Sequence, residues 1–455
     1  MSASNPALLT DRYELTMLQA SLHSGTASRR AVFELFGRRL PEGRRFGVVA
    51  GVGRALDALE AFRFDDDALG FLREQAVVDE STLEWLAGYR FSGDAWGYPE
   101  GEVYFPGSPL LVVESSFAEA VLLETLLLSI YNHDSAVASA ASRMTLAAQG
   151  RPCIEMGSRR THEEAAVAAA RAAYVAGFAA SSNLAAGRRY GVPTTGTSAH
   201  AFTLVHDSER DAFVAQVESL GRGTTLLVDT YDVATAVELA VAVAGPELGA
   251  VRLDSGDLTA LAHDVRRQLD RLGATDTRIV VTSDLDEHAI AALAVAPVDG
   301  YGVGTSLVTG SGYPTCGFVY KLVARSGSGD AADTVVPVAK KSNDKLSIGG
   351  RKWAVRQRDR GGVARVEVIG IGSRPAVGPH DRELMVPLVR SGEVVGREPL
   401  DAARERHLRV REELPGPACQ LSRGEPAVLT DYLGDGRPGS TTPFVPDRAS
   451  EEASR

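Results

Sequence analysis

Cysteine is scarce in this chain: Cys153, Cys316 and Cys419 are scattered along 455 residues. An odd, dispersed set is not a disulfide framework, and no C-x-x-C or Cys/His spacing suggests a zinc site. Long hydrophobic runs are missing too. The most apolar stretch, 121–131, is interrupted by Glu124 and is too short to cross a bilayer. The opening residues, MSASNPALLTDRYE, lack a basic region followed by an apolar run, so no secretory signal is legible and a cytoplasmic protein is expected. Basic excess is also absent. A net charge of −11 argues against nucleic acid or a membrane surface as partner, although a local anion site remains open. No G-x-x-x-x-G-K-[ST] occurs, so a nucleoside triphosphate would not be held by a P-loop, and Ser198 lies outside any G-x-S-x-G elbow.

What is present is a soluble composition, 44% apolar and 24% charged, long enough for two or three domains. The first part alternates short strands with turns: AVFELF, FGVVAGV, and three more candidates in DAWGYPEGEVYFPGSPLLVVES. An Ala/Leu-rich region, 117–149, reads as helical, with two helices meeting near Tyr131, Asn132 and His133. From there, seven short apolar runs (CIEMGS, GFAASS, VPTTGT, TTLLVDT, GAVRLDS, RIVVTSD and DGYGVGT) alternate with helices expected at 162–176, 232–244, 257–272 and 286–295. Buried, non-alternating strands between helices imply a parallel sheet. The number of runs favours closure into a barrel, with an open doubly wound sheet as the other possibility. After Gly310, FVYKLVAR, TVVPVAKKS and KWAVRQR are β-like.

The expected fold is therefore α/β: an irregular parallel barrel over 131–315, plus a discontinuous sandwich-like domain. Residues 1–130 with their connecting helix would form the first part of that domain, and 316–446 would pack back on it. A charged, Ser-rich tail over 447–455 is expected to be disordered.

Polar residues gather where the strands of the repeating region end. Asp229 follows TTLLV, Asp254 follows GAVRL, Ser283 and Asp284 follow RIVVT, and Gly302, Gly304 and Thr305 fall in YGVGT. Active sites of βα architectures lie at this edge. An acid there can instead cap the next helix, the role expected for Asp257 and Asp286. Arg252 shares a strand face with Asp254. A buried arginine must be paired, so the two form an internal ion pair or meet an anionic ligand together. His200 follows the small-residue turn Gly-Thr-Ser, where an imidazole can act as nucleophile or acid/base group. Arg159 and Arg160 close another strand and suit phosphate or carboxylate by forked hydrogen bonding.

Taken in order, LLTDRYELTML, FELFGRRLP, YFPGSPLL, YNHDSAVASAASRM, GSRRTH, GTSAHAF, VDTYD, VRLDSGDL, TSDLDE, YGVGTSL, YKLV and KKSNDKLSIGGRKWAVR resemble the nicotinate phosphoribosyltransferases, over about residues 8 to 357. The resemblance implies transfer of a phosphoribosyl group from phosphoribosyl pyrophosphate to nicotinate in NAD biosynthesis. It implies Mg²⁺ and ATP as co-substrate, with a transient phosphohistidine at His200. Tyr13 would lie over the pyridine ring in the partner's site, which requires a homodimer. Arg159 and Arg252 match positions around the base and phosphates, and Asp229 and Asp254 match the ribose and pyrophosphate region. Ser283, Asp284, Gly302, Gly304 and Thr305 match the 5′-phosphate site, and Thr197 falls in the matching GTSAHAF stretch. The Mg²⁺ ligands are not assigned.

Nicotinamide-using relatives carry an Asp near the base, where this chain has Ser181 and Ser182; a hydroxyl tolerates a carboxylate that an Asp would repel. Met156 departs from the pattern, standing where many relatives have a stacking aromatic, although a thioether also packs on rings. The competing readings are a nicotinamide enzyme, a quinolinate enzyme needing a denser basic pocket, and a non-catalytic sensor of pyridine nucleotides.

Overall fold

The computed structural model describes residues 5–327, 334–340 and 348–434; the expected tail at 447–455 lies outside them. Strand–helix alternation produces a six-stranded parallel sheet. Its order is Ala180–Ser181, Cys153–Glu155, Gly300–Val303, Arg278–Val281, Ala250–Leu253, Thr225–Leu227. Consecutive strands from Thr225 to Val303 lie side by side, each returned by a helix: Val233–Ala244, Leu258–Arg271 and Glu287–Ala292. These helices start where the sequence places them, because Asp232, Asp257 and Asp286 accept backbone N–H groups at their first turns. Asp257 and Asp286 are thus caps, as expected.

The sheet forms half a barrel. The run VPTTGT contributes a single parallel bridge, Ser181 to Thr194, and among the described residues no ladder joins it to Thr225–Leu227. The segment carrying His200 occupies that interval. Among the described residues no helix is long and apolar enough to cross a membrane.

Two local expectations change. The helical region breaks at Leu122–Leu123, between Phe117–Val121 and Glu124–Ala147, and not at 131–133. The Asn132 side chain and that of the neighbouring Asp134 have partners outside the helix and do not compete for its backbone, while His133 Nδ1 lies 2.9 Å from Asp134 Oδ1. Asn132 accepts from Thr315 and from Phe318 N at 2.9 Å, and Asp134 pairs with Arg54 at 2.6 Å. In FGVVAGV only Gly47–Val48 is strand, and Val52 already begins a helix.

N- and C-terminal segments interleave in a seven-stranded sheet. Arg30–Gly37 pairs with Pro109–Ser116 on one side and with Phe318–Ser326 on the other, both antiparallel. Lys352–Arg358 and Ala364–Ile371 form the middle of a second, four-stranded sheet. A buried ion network ties these parts together. Arg356, 0% exposed, donates to Glu102 at 2.7 Å, to Glu367 at 2.5 Å and to the Val103 carbonyl at 2.9 Å. Arg382 binds the other side of Glu102, and Tyr98 donates to Glu367 at 2.7 Å. The two arginines hold the Glu102 carboxyl low, at about 2, against the opposing effect of its burial.

Candidate active site

The carboxyl ends of the parallel strands surround a cleft of about 270 Å³. Cations Arg159, Arg160 and Arg252 line it together with Asp254, Ser283 and Asp284. Gly302, Gly304, Thr305, Thr282 and Met156 complete the wall. Burial against Leu226, Val251, Val281 and Tyr301 fixes the strands, so the residues at their ends are held from below.

Arg252 resolves one open alternative. It makes no ion pair with Asp254; its Nη1 donates to Thr197 Oγ1 at 2.7 Å, and its Nε is buried without a partner. Burial lowers its pKa, while Asp254 and Asp229 push it back up and Arg159 adds to the lowering. A half-buried guanidinium that spends one hydrogen bond on a neutral hydroxyl keeps donors free for an anion.

The acids are wired to each other. Asp229 Oδ2 accepts from Asp254 N at 2.8 Å and from Ser255 Oγ at 2.7 Å, and Asp229 Oδ1 is buried and unpartnered. Asp254 Oδ1 accepts from Thr282 Oγ1, and its Oδ2 lies 3.9 Å from His200 Nε2. His200 opens the short helix His200–Leu204 and places Nδ1 3.1 Å from Thr230 Oγ1. Ser283 has φ +133°, a backbone setting rarely adopted by a residue with a side chain. Gly302 is required by close packing, since a Cβ there would approach Thr282 Cγ2 to 2.5 Å and Met156 Sδ to 2.8 Å.

Two expected residues stand apart. Ser182 is exposed beside the cleft, its N–H donating to Glu155 O at 2.8 Å. Tyr13 sits on the helix Arg12–His23, beside Thr125 and Glu124; burial, with Glu124 and Glu14, raises its phenol to about 12. It does not line the cleft of its own chain. Thr282, Thr230 and Glu155 were missed. Thr282 stands inside the TSD run, and Glu155 is the single charge in the apolar strand Cys153–Glu155, the same signal that singled out Arg252.

A larger cavity of about 480 Å³ adjoins the cleft at Thr305. Its buried arginines are already engaged: Arg44 with the carbonyls of Ala136 and Gly310, and Arg143 with Glu287 at 2.9 Å.

Nicotinate phosphoribosyltransferase pncB1 of Mycobacterium tuberculosis is 60% identical over 433 residues, covering 93% of this chain and 94% of that protein. This chain belongs to the nicotinate phosphoribosyltransferase family. The family's N-terminal domain (NAPRTase) matches residues 8–132. The nicotinate phosphoribosyltransferase of Bacillus subtilis is 38% identical over 360 residues, 77% of this chain and 73% of that one. The crystal structure of human nicotinic acid phosphoribosyltransferase superposes with a TM-score of 0.78 at 28% identity, covering 93% of this chain and 97% of that one. The expected family and the expected α/β fold class are therefore borne out, the irregular parallel sheet forming half of the expected barrel. Within this nicotinate phosphoribosyltransferase fold, the cleft gathers Arg159, Arg252, Asp254, Ser283, Asp284, Gly302, Gly304 and Thr305 directly. Hydrogen bonds or short contacts attach Thr197, Asp229 and His200 to it.

Proposed function

We propose that this protein transfers the phosphoribosyl group of phosphoribosyl pyrophosphate to the ring nitrogen of nicotinate, coupled to ATP hydrolysis through His200. The observation that carries this reading is the half-buried Arg252, free of any carboxylate partner among the described residues, facing the linked acids Asp229 and Asp254. In the transfer, the pyridine nitrogen lone pair forms a bond to the anomeric carbon. The bond to pyrophosphate breaks, and its electron pair leaves with that group. Positive charge develops on the ribose, where Asp254 and Asp229 stabilise it. Arg159 and Arg252 bind the anionic ends, Thr197 steadies Arg252, and the Ser182 hydroxyl suits a carboxylate. Ser283, Asp284, Gly302, Gly304 and Thr305 form the loops assigned to the 5′-phosphate.

A ring nitrogen of His200 bonds to the terminal phosphorus of ATP as the bond to the bridging oxygen breaks and ADP leaves; water later takes the phosphoryl group as inorganic phosphate, freeing the imidazole. Mg²⁺ binds by one or two carboxylates plus substrate phosphates and water, so it needs no all-protein cage. No cluster of three or more ligating side chains occurs among the described residues, but Asp229 with its unpartnered Oδ1, together with Asp254, fits this lighter demand. When bound, Mg²⁺ neutralises the charge of the departing pyrophosphate.

A homodimer with a shared site belongs to the same reading. Leu8, Leu9 and Tyr13 are exposed on the N-terminal segment, and Leu184, Leu204 and Tyr231 are exposed on segments that carry the cleft. Pairing two copies would cover both sets. The product would enter NAD biosynthesis in the cytoplasm.

Purified protein supplied with Mg²⁺, ATP and phosphoribosyl pyrophosphate should convert nicotinate to its mononucleotide and use nicotinamide poorly. Equal use of both bases would overturn the specificity. His200→Ala should retain weak transfer and lose nicotinate-dependent ATP hydrolysis; retained hydrolysis would remove the phosphohistidine. Mixing Tyr13→Ala with His200→Ala subunits should restore one intact site per hybrid dimer, and no recovery would argue against site sharing.

A further inference from the structure

Behind the cleft wall lies a carboxylate that the proposed chemistry does not use. Glu155 ends the strand Cys153–Glu155 and is 0% exposed. Its Oε2 accepts from Ser181 Oγ at 2.5 Å, and its Oε1 accepts from Gly157 N at 2.5 Å. Ser181 Oγ in turn accepts from Asn183 N at 2.8 Å, so the Ser181 proton is directed to Glu155. Asn183 Nδ2 donates to Ser158 Oγ at 3.0 Å, and the Glu155 carbonyl accepts from Ser182 N at 2.8 Å. One side chain thus fastens the turn leading to Arg159 to the turn carrying Ser182.

We infer that Glu155 is a positioning residue for the acceptor base: it sets the spacing between the Arg159 turn and the Ser182 turn that receive the nicotinate carboxylate. This rests on the nicotinate reading of the cleft. The chemistry explains why an acid stands so close to an anionic substrate. Both oxygens are occupied by donors and the fully buried side chain does not line the cleft, so Glu155 orders the wall without presenting itself to the base. Burial raises its pKa, and the bonds from Ser181 and Gly157 lower it again. The packing leaves no slack, since a Cβ on Gly157 would stand 3.0 Å from Gly304 O and 3.1 Å from Glu155 Oε1. Glutamine replaces Glu155 imperfectly. Its NH₂ either meets the Gly157 N–H, donor against donor, or faces Ser181, whose hydroxyl then accepts from both it and Asn183 N and loses the acceptor for its own proton.

The test compares Glu155→Gln, Ser181→Ala and the double variant with wild type, reading KM for each substrate, kcat and Tm. Each single variant should raise KM for nicotinate about tenfold, with kcat and KM for phosphoribosyl pyrophosphate within about twofold. The double variant should add little, because both changes cut the same link. An unchanged KM for nicotinate, or an equal rise for both substrates together with a lowered Tm, would overturn the positioning role. If Glu155→Gln fails to fold, Ser181→Ala carries the same comparison. Wild type is assayed first: failure to use nicotinate at all would overturn the functional reading itself, whereas an active wild type with unaffected variants sinks this inference alone.

Discussion

Two arginines inside strands meet opposite fates. Arg356, in the four-stranded sheet, is fully buried; its Nε too lacks a partner, but its Nη groups reach two carboxylates and a carbonyl. Arg252, near the carboxyl end of an interior strand of the parallel sheet, reaches a single threonine hydroxyl while two acids stand nearby without bonding it. Satisfied charge of the first kind holds a fold together, and removing one member leaves the others buried and uncompensated. Unsatisfied charge of the second kind is a standing cost that a ligand can offset.

The largest expected effect is on the satisfied side. Glu102→Ala leaves Arg356 with Glu367 alone and Arg382 with Glu413 alone, removing the carboxylate they share, and should cost about 3 kcal/mol in denaturant unfolding. Turnover per folded molecule should stay within about twofold; a loss of turnover at full stability would break the distinction.

His407 is likewise 0% exposed, held 3.1 Å from Gly101 O and 3.0 Å from Ser142 Oγ. Burial depresses its pKa from 6.5 to about 4. Below 6.5 the unfolded chain takes up a proton that the folded state refuses, so this contribution is present above 6.5 and lost as pH falls towards 4. The loss should total about 3 kcal/mol. His407→Asn should flatten the stability profile across that window, as followed by urea unfolding at several pH values.

On the unsatisfied side, Arg252→Met should lower kcat/KM about 100-fold, equivalent to about 2.7 kcal/mol of transition-state stabilisation. Melting should be unchanged or raised. A large drop in Tm would return Arg252 to a structural role. The smallest effect is expected at Ser283, where glycine relieves the φ of +133°. Ser283→Gly should stabilise by about 1 kcal/mol after the entropic penalty of glycine, while weakening phosphoribosyl pyrophosphate binding. Calorimetry and steady-state kinetics separate the two.

Much of the parallel half was legible because its signals are local. Period-two placement put Arg252 on the face of Asp254, and the aspartates that open helices announced themselves by position. What escaped reading depends on contacts distant in sequence. Glu155 and Ser181 meet across 26 residues, and Thr230 meets His200 across 30. Inside the uninterrupted helix, Asn132 is likewise engaged by Thr315 and Phe318 and Asp134 by Arg54, contacts that no local pattern reveals. Closure of the sheet was over-read: VPTTGT has the composition of a strand, but its glycine and exposed threonines give one bridge and no ladder.

That missing ladder separates two clocks. His200 rides on a five-residue helix in the interval between Thr194 and Thr225–Leu227, without sheet hydrogen bonds of its own, whereas Arg252, Asp254 and Gly302 are anchored in the paired strands or directly beyond them. Amide exchange should therefore run faster through 195–204 than through the neighbouring strands. Under the proposed function, the arm assigned to ATP can then reset between turnovers while the surface assigned to the sugar keeps its shape.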